Sequence, residues 1–276
     1  MSRLRGPSAV RAVFDAARQD GRAALVAYLM AGYPDEETSV EAAASAIDAG
    51  ADLLEIGIPF SDPVADGPVI AEAGRQVLAS GGGFDSAVRC IAALRERGYQ
   101  APILAMSYIN PLLAGGTSTT LGALASSGAD GLIVPDLPTG EEPGLESLAA
   151  DLDLALCFLV APNTPATRIE AAIRASTGFL YVVPLFGVTG ARDRLPTEAL
   201  PLLKRIRRQV ADRVPVGAGF GISRPEHVAT LAPATDGIIV GSALVAALGD
   251  GGDAGPQRVR SLVASLATTT PAGSYR

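Results

Sequence analysis

Three carboxylates, Glu55, Asp62 and Asp66, share the stretch LLEIGIPFSDPVADGP (53–68) with three prolines. Glu55 falls near the end of an apolar run, where burial raises a carboxyl pKa and lets it act as an acid near neutral pH. Asp66 lies beyond the prolines in different surroundings, and two carboxylates in unlike environments can hold unlike roles. Asp62, between Pro59 and Pro63, occupies a setting in which Ser and Asp commonly fix turns. On the residues alone, a rim charge at Glu55 and a turn residue at Asp66 account for the pattern as well as catalysis does.

Two scarcities narrow the chemistry. The 276 residues contain one histidine, His227, and one lysine, Lys204. A single histidine argues against a histidine-based metal cage or a Ser-His-Asp triad, and no metal site is expected. His227 follows "SRPE" on what reads as a surface helix, so it is expected to be solvated. Lys204 lies among Arg205, Arg207 and Arg208, which reads as a solvated helix face rather than the desolvated setting of a Schiff-base lysine. Acid–base work falls to carboxylates and tyrosines.

Hydrophobic residues make up 48% and charged residues 18%, as in compact globular proteins. A net charge of −7 disfavours nucleic acid and anionic membranes as partners. Met1 to Gly21 lacks an apolar run of signal-peptide length, and no window reaches the ~18 apolar residues of a membrane span. A cytoplasmic location is expected. Cys90 and Cys157 sit far apart in periodic apolar segments and read as buried thiols.

The elements that must position the acids are legible as apolar runs. Strands are expected at 23–29, 52–57, 102–107, 131–136, 154–160, 178–184, 214–219 and 237–241. Each is nearly continuous in apolar residues, as in parallel strands covered on both faces. Helices are expected between them, at 37–49, 85–97, 118–127, 168–176 and 198–213, with Asp35 as an N-cap and Gly50 as a stop. Eight alternating units without a linker predict a single-domain (β/α)₈ TIM barrel over residues 1–276, with an extra N-terminal helix. An open doubly wound sheet is the competitor, but no single glycine fingerprint opens the chain.

In such a barrel the chemistry lies at the C-terminal strand ends. That rule selects Tyr28, Glu55, Met106, Tyr108, Asp136 and Tyr181. It also selects the glycine-rich segments GVTG (187–190), GFG (219–221) and GS (241–242). The three glycine segments together, in the order in which barrels hold phosphate, read as a main-chain anion cradle.

These motifs resemble the tryptophan synthase α-subunit family over about residues 10–265. The carriers are LEIGIPFSDPVADGP, AGYPD (31–35), MSYINP (106–111), VPDLP (134–138), GVTGAR (187–192), GFGIS (219–223) and GSALV (241–245). The resemblance implies a barrel that cleaves indole-3-glycerol phosphate to indole and glyceraldehyde 3-phosphate. No cofactor is implied here, and pyridoxal phosphate belongs to a partner β subunit in an α2β2 heterotetramer. By resemblance, Glu55, Asp66 and Tyr181 are catalytic, and Tyr28, Ile70, Met106 and Tyr108 line the indole end. Thr189 belongs to a closing loop. Gly190, Gly219, Phe220, Gly221, Gly241 and Ser242 hold phosphate, while Pro59, Asp62, Pro63 and Asn110 face the β subunit.

The implied retro-aldol step fits the inventory. Protonating indole C3 turns the ring into its own electron sink, so neither lysine nor metal is required. The chain departs from the family pattern at Pro184 and Leu185, where Ser and Arg are common, and at Met30, Ala71 and Gln76. The alternatives are a stand-alone indole-releasing lyase, a weakly active regulatory partner of a β subunit, or another phosphate-binding barrel such as a sugar-phosphate isomerase.

Overall fold

Seven residues from Ala24 to Met30 are all buried, which is the condition for a parallel strand covered on both faces. The computed structural model describes residues 3–183, 195–249 and 254–268. Its strands are β1 (Ala24–Met30), β2 (Leu53–Gly57), β3 (Ile103–Met106), β4 (Gly131–Ile133), β5 (Ala155–Cys157), β6 (Leu159–Val160), β7 (Leu180–Val182), β8 (Val216–Ala218) and β9 (Gly237–Val240). All pairings are parallel, and neighbours run β5-β4-β3-β2-β1-β9-β8-β7-β6.

β5 and β6 are two halves of one strand, separated only by Phe158. The first half pairs with β4 and the second with β7, so the ring closes through Phe158. The result is a (β/α)₈ barrel with its helices outside. Every expected strand is found: β1 keeps its length but is shifted by one residue, and the others are shorter. The run 131–136 stops as a strand at Ile133, because Pro135 offers no N–H and the Asp136 carboxylate instead accepts the Ile109 N–H at 2.9 Å.

The helix Glu36–Asp48 shows why the helical segments form where they do. The Asp35 carboxylate accepts the Thr38 N–H at 2.8 Å, satisfying a donor that the helix leaves open. Ala42, Ala43, Ala44 and Ala46 give it a thin buried face, which packs against the helix Gly255–Ala267. Gly50, at φ +106°, turns the chain back towards β2.

The N-terminal helix Gly6–Gln19 plugs the barrel from the end where the strands begin. Its Val10, Phe14 and Ala17 share one core cluster with the interior residues Val26, Leu53, Leu104, Ile133, Phe179 and Ile239.

A single device recurs at that end. The residue just before β2, Asp52, donates its N–H to the Leu25 carbonyl and accepts the Leu25 N–H on its carboxylate, both at 2.8 Å. Asp130 clasps Ile103 in the same reciprocal way, at 2.7 and 3.0 Å. Asp236 clasps Val216, both bonds at 2.9 Å. Thr177 clasps Leu156 with its hydroxyl in place of a carboxylate, at 3.0 and 2.9 Å. Each acid is also paired: Asp52 with Arg22, Asp130 with Arg3 and Arg95, Asp236 with Arg18 and Arg207. A buried carboxylate needs such partners, and Arg supplies several donors at once.

Two expectations about basic side chains are corrected. His227 is buried, not solvated, and its Nδ1 accepts the Ser223 N–H at 3.4 Å. Arg207 is half-buried and ion-paired to Asp236, while Lys204, Arg205 and Arg208 are exposed as expected. Cys90 and Cys157 are buried free thiols.

Candidate active site

Glu55 lies on β2, in register with Tyr28 on β1 and Leu104 on β3. It is fully buried, and neither carboxylate oxygen has a hydrogen-bond partner among the described residues. A carboxylate stripped of water with nothing in exchange favours its neutral form. Burial accordingly pushes the Glu55 carboxyl up to about 8. This is an acid held protonated at neutral pH.

Asp66 sits across the loop that leaves β2. The Tyr108 hydroxyl accepts the Ala65 N–H at 2.9 Å and hydrogen-bonds the Asp66 carboxyl. Burial raises Asp66 to about 6, and the Tyr108 bond works against that rise. The two acids therefore differ in kind at neutral pH: Glu55 protonated, Asp66 mostly ionised. Tyr108 is held from the other side by Phe60, with ring centroids 5.3 Å apart.

Tyr28 and Tyr181 complete the surroundings of Glu55. Burial, with the nearby acids, holds both phenols well above their ordinary pKa, so they stay protonated. Their rings fit because three positions, one in β2 and one just after each of β8 and β9, are glycine. A Cβ on Gly57 would lie 2.2 Å from the Tyr28 hydroxyl, and one on Gly241 would lie 3.3 Å from its ring. A Cβ on Gly219 would lie 2.8 Å from the Tyr181 ring. Gly219 and Gly241 are expected to offer backbone to an anion. Their first structural duty is room for two phenols.

A cavity opens at the C-terminal strand ends. Tyr28, Asp66, Ile70, Met106 and Tyr181 line it together with Gly219, Gly221, Gly241 and Ser242. Gly221 has φ +69°, a conformation that suits glycine. Ser242 opens the helix Ser242–Gly249, and no basic side chain is among the described residues lining the cavity. Anion binding here would rest on main-chain N–H groups.

Not every expected residue lines the cavity. Glu55 is enclosed behind its lining, and Phe220 is buried in the outer core. Tyr108 meets the site through Ala65 and Asp66 rather than by its own surface. Ala65, Pro135, Leu159, Val183 and Ile239 also line the cavity and were not singled out from sequence. Leu159 and Ile239 are ordinary strand residues whose inward direction only barrel closure decides. Asp136, a rim candidate, is occupied with the Ile109 N–H.

The proposed partner-facing residues separate by depth. Asp62 and Asn110 are exposed, Pro63 is half-buried and Pro59 is buried. Val64 and Leu113, in the same segments, are 67% and 44% exposed. Thr189, Gly190, Pro184 and Leu185 lie outside the described residues.

The comparisons with known proteins agree. The family profile for the tryptophan synthase alpha chain matches residues 14–271. The tryptophan synthase alpha chain of Carboxydothermus hydrogenoformans is 45% identical over 238 residues, covering 86% of this chain and 88% of that relative. That of Chloroflexus aggregans is 45% identical, covering 83% and 85%. Among solved structures, Mycobacterium tuberculosis tryptophan synthase superposes with a TM-score of 0.87 at 38% identity, covering 95% of this chain and 97% of that one. A mutant alpha-subunit from Pyrococcus furiosus gives 0.81 at 36% identity, covering 89% and 97%.

Proposed function

The chain belongs to the tryptophan synthase alpha chain family, and on that premise we propose that Glu55 and Asp66 are the working acids of its reaction. The activity is that of a carbon–carbon lyase, cleaving indole-3-glycerol phosphate to indole and glyceraldehyde 3-phosphate in tryptophan biosynthesis. Alpha chains need no cofactor for this step.

One observation carries the assignment: Glu55 is fully buried and both its oxygens lack a partner among the described residues. A protonated Glu55 can deliver its proton to indole C3 once its side chain rotates into the cavity. The ring then accepts the electrons of the breaking C3–C bond. The resulting carboxylate takes the proton of the side-chain hydroxyl, and the aldehyde departs. Asp66, ionised at neutral pH, accepts the indole N–H and stabilises positive charge developing on the ring. Tyr28, Ile70, Met106, Tyr108 and Tyr181 shape the indole end, and Tyr181 sits beside the acid as a third catalytic group. The phosphate rests on the backbone at Gly219, Phe220, Gly221, Gly241 and Ser242, supported by their common placement at the ends of β8 and β9.

The same reading takes the chain as one barrel domain acting in the cytoplasm with a pyridoxal-phosphate β subunit, in an α2β2 assembly. The exposed Asp62, Val64, Asn110 and Leu113 support a partner face around the cavity mouth, with Pro59 and Pro63 holding the loop. Thr189 and Gly190 belong to the loop that closes the site. Indole release from indole-3-glycerol phosphate, with and without a β subunit, is the test. Glu55→Gln and Asp66→Asn should each lower it by roughly 10²–10⁴-fold with the fold retained. Near-normal turnover in either variant would overturn the assignment, and high turnover without stimulation by β would point to a stand-alone lyase.

A further inference from the structure

Three aromatic rings stand in a column along the barrel interior, from the plug helix to the candidate site. The Phe14 and Phe179 centroids are 5.5 Å apart, and those of Phe179 and Tyr181 are 5.7 Å apart. Phe14 and Phe179 are buried to 1% and 0% exposure. Neither touches the cavity.

Each ring is seated where a strand lacks a side chain. A Cβ on Gly237 would lie 2.7 Å from Phe14, one on Gly217 2.8 Å from Phe179, and one on Gly219 2.8 Å from Tyr181. The column is thus locked sideways by Gly217 of β8, Gly219 just after it and Gly237 of β9, and its height is set by the helix below. That helix is anchored in turn: Arg3 and the Gly6 N–H both bond the buried Asp130. A ring in such a stack has little freedom to shift alone, because interiors are packed to crystal-like density.

We propose that Phe14 and Phe179 are positioning residues for the lyase reaction, fixing the height of the Tyr181 ring and sealing the barrel floor beneath Glu55 against water. This rests on the assignment of Glu55 made above. The acid needs such a floor, since it has no hydrogen-bond partner among the described residues to keep it in place. The titratable groups facing it are Tyr28 from β1, Tyr181 from β7 and Cys157 from β5, with Asp66 beyond the two phenols. Leu104 on β3 and Ile239 on β9 are apolar. With uncharged neighbours immediately around it, the dryness of the floor is what holds the proton on Glu55.

Phe179→Leu and Phe14→Leu, in the full chain, test this. Both keep an apolar side chain but shorten the column. Each should lower kcat for indole release about tenfold, with KM within about twofold, since neither side chain meets substrate. The basic limb of the kcat–pH profile should move to lower pH by about one unit, because a wetter Glu55 loses its proton sooner. Phe179→Met, which refills the space with a flexible apolar chain, should return the limb towards its parental position. A structural role alone would lower Tm and leave the limb where it was. An unmoved limb in both leucine variants, with Glu55→Gln inactive in parallel, would overturn the proposal. Turnover surviving in Glu55→Gln would instead overturn the acid assignment.

Discussion

The Tyr108 hydroxyl accepts the Ala65 N–H and hydrogen-bonds the Asp66 carboxyl, so one phenol fixes both the loop backbone and the acid it carries. Removing that hydroxyl frees the acid and withdraws the bond that opposes its raised pKa. In Tyr108→Phe, Asp66 should therefore titrate above its present value of about 6. The acidic limb of the kcat–pH profile should move to higher pH, and kcat should fall about tenfold, the cost of one hydrogen bond to a charged group. A pH series of indole release checks both.

Glu55 gives a prediction about stability with a definite sign. Its carboxyl is raised from 4.5 to about 8 in the folded chain. Between those values the unfolded chain binds fewer protons than the native one, so stability falls as pH rises. Below the lower value this cost is absent, and above the upper value it is complete. Glu55→Gln cannot ionise and escapes it. Its Tm should exceed the parent's by a margin that widens from about pH 5 to about pH 8. Thermal melts across that range would show the divergence.

The clasps at the strand starts should differ in strength according to charge. Asp130→Ala leaves Arg95 and Arg3 facing a buried gap and orphans the Ile103 N–H. Urea unfolding should show a loss of ~3–5 kcal/mol, as for a broken buried ion pair. Thr177→Val loses only a neutral bond to the Leu156 N–H. It should cost ~1 kcal/mol.

Gly219→Ala separates the two duties of that glycine. Its new Cβ would meet the Tyr181 ring at 2.8 Å and the hydroxyl at 2.9 Å. The phenol must move, and kcat should fall about tenfold. If Gly219 served the anion alone, KM would rise and kcat would hold. Steady-state kinetics distinguish the two outcomes.

Much of this molecule is legible in its sequence, for a physical reason. Strands buried on both faces must be continuously apolar, so runs such as 23–29 and 237–241 declare themselves. Glu55 stood out because a charge in such a run is costly. What stayed hidden depends on partners distant in the chain. Nothing near Gly57 says that the Tyr28 hydroxyl will occupy its missing side chain. His227 looked exposed because its burial depends on packing that the short local pattern does not mark. The clasps did leave a trace, in ADLLEI, ADGLIV, STGFLYV and TDGIIV, where an Asp or Thr precedes a run that opens a strand. Only the hydrogen bonds give Asp52, Asp130, Thr177 and Asp236 their function.

The threonine in the third of those segments has a consequence for how the chain can change. At the strand starts, a carboxylate with its arginines does the same work as one neutral hydroxyl, so acid and base can be gained or lost as a set. At the strand ends, Glu55 has no counter-ion to be exchanged with. The same clasp is thus built with charged residues on some strands and a neutral hydroxyl on another at the strand-start mouth of the barrel.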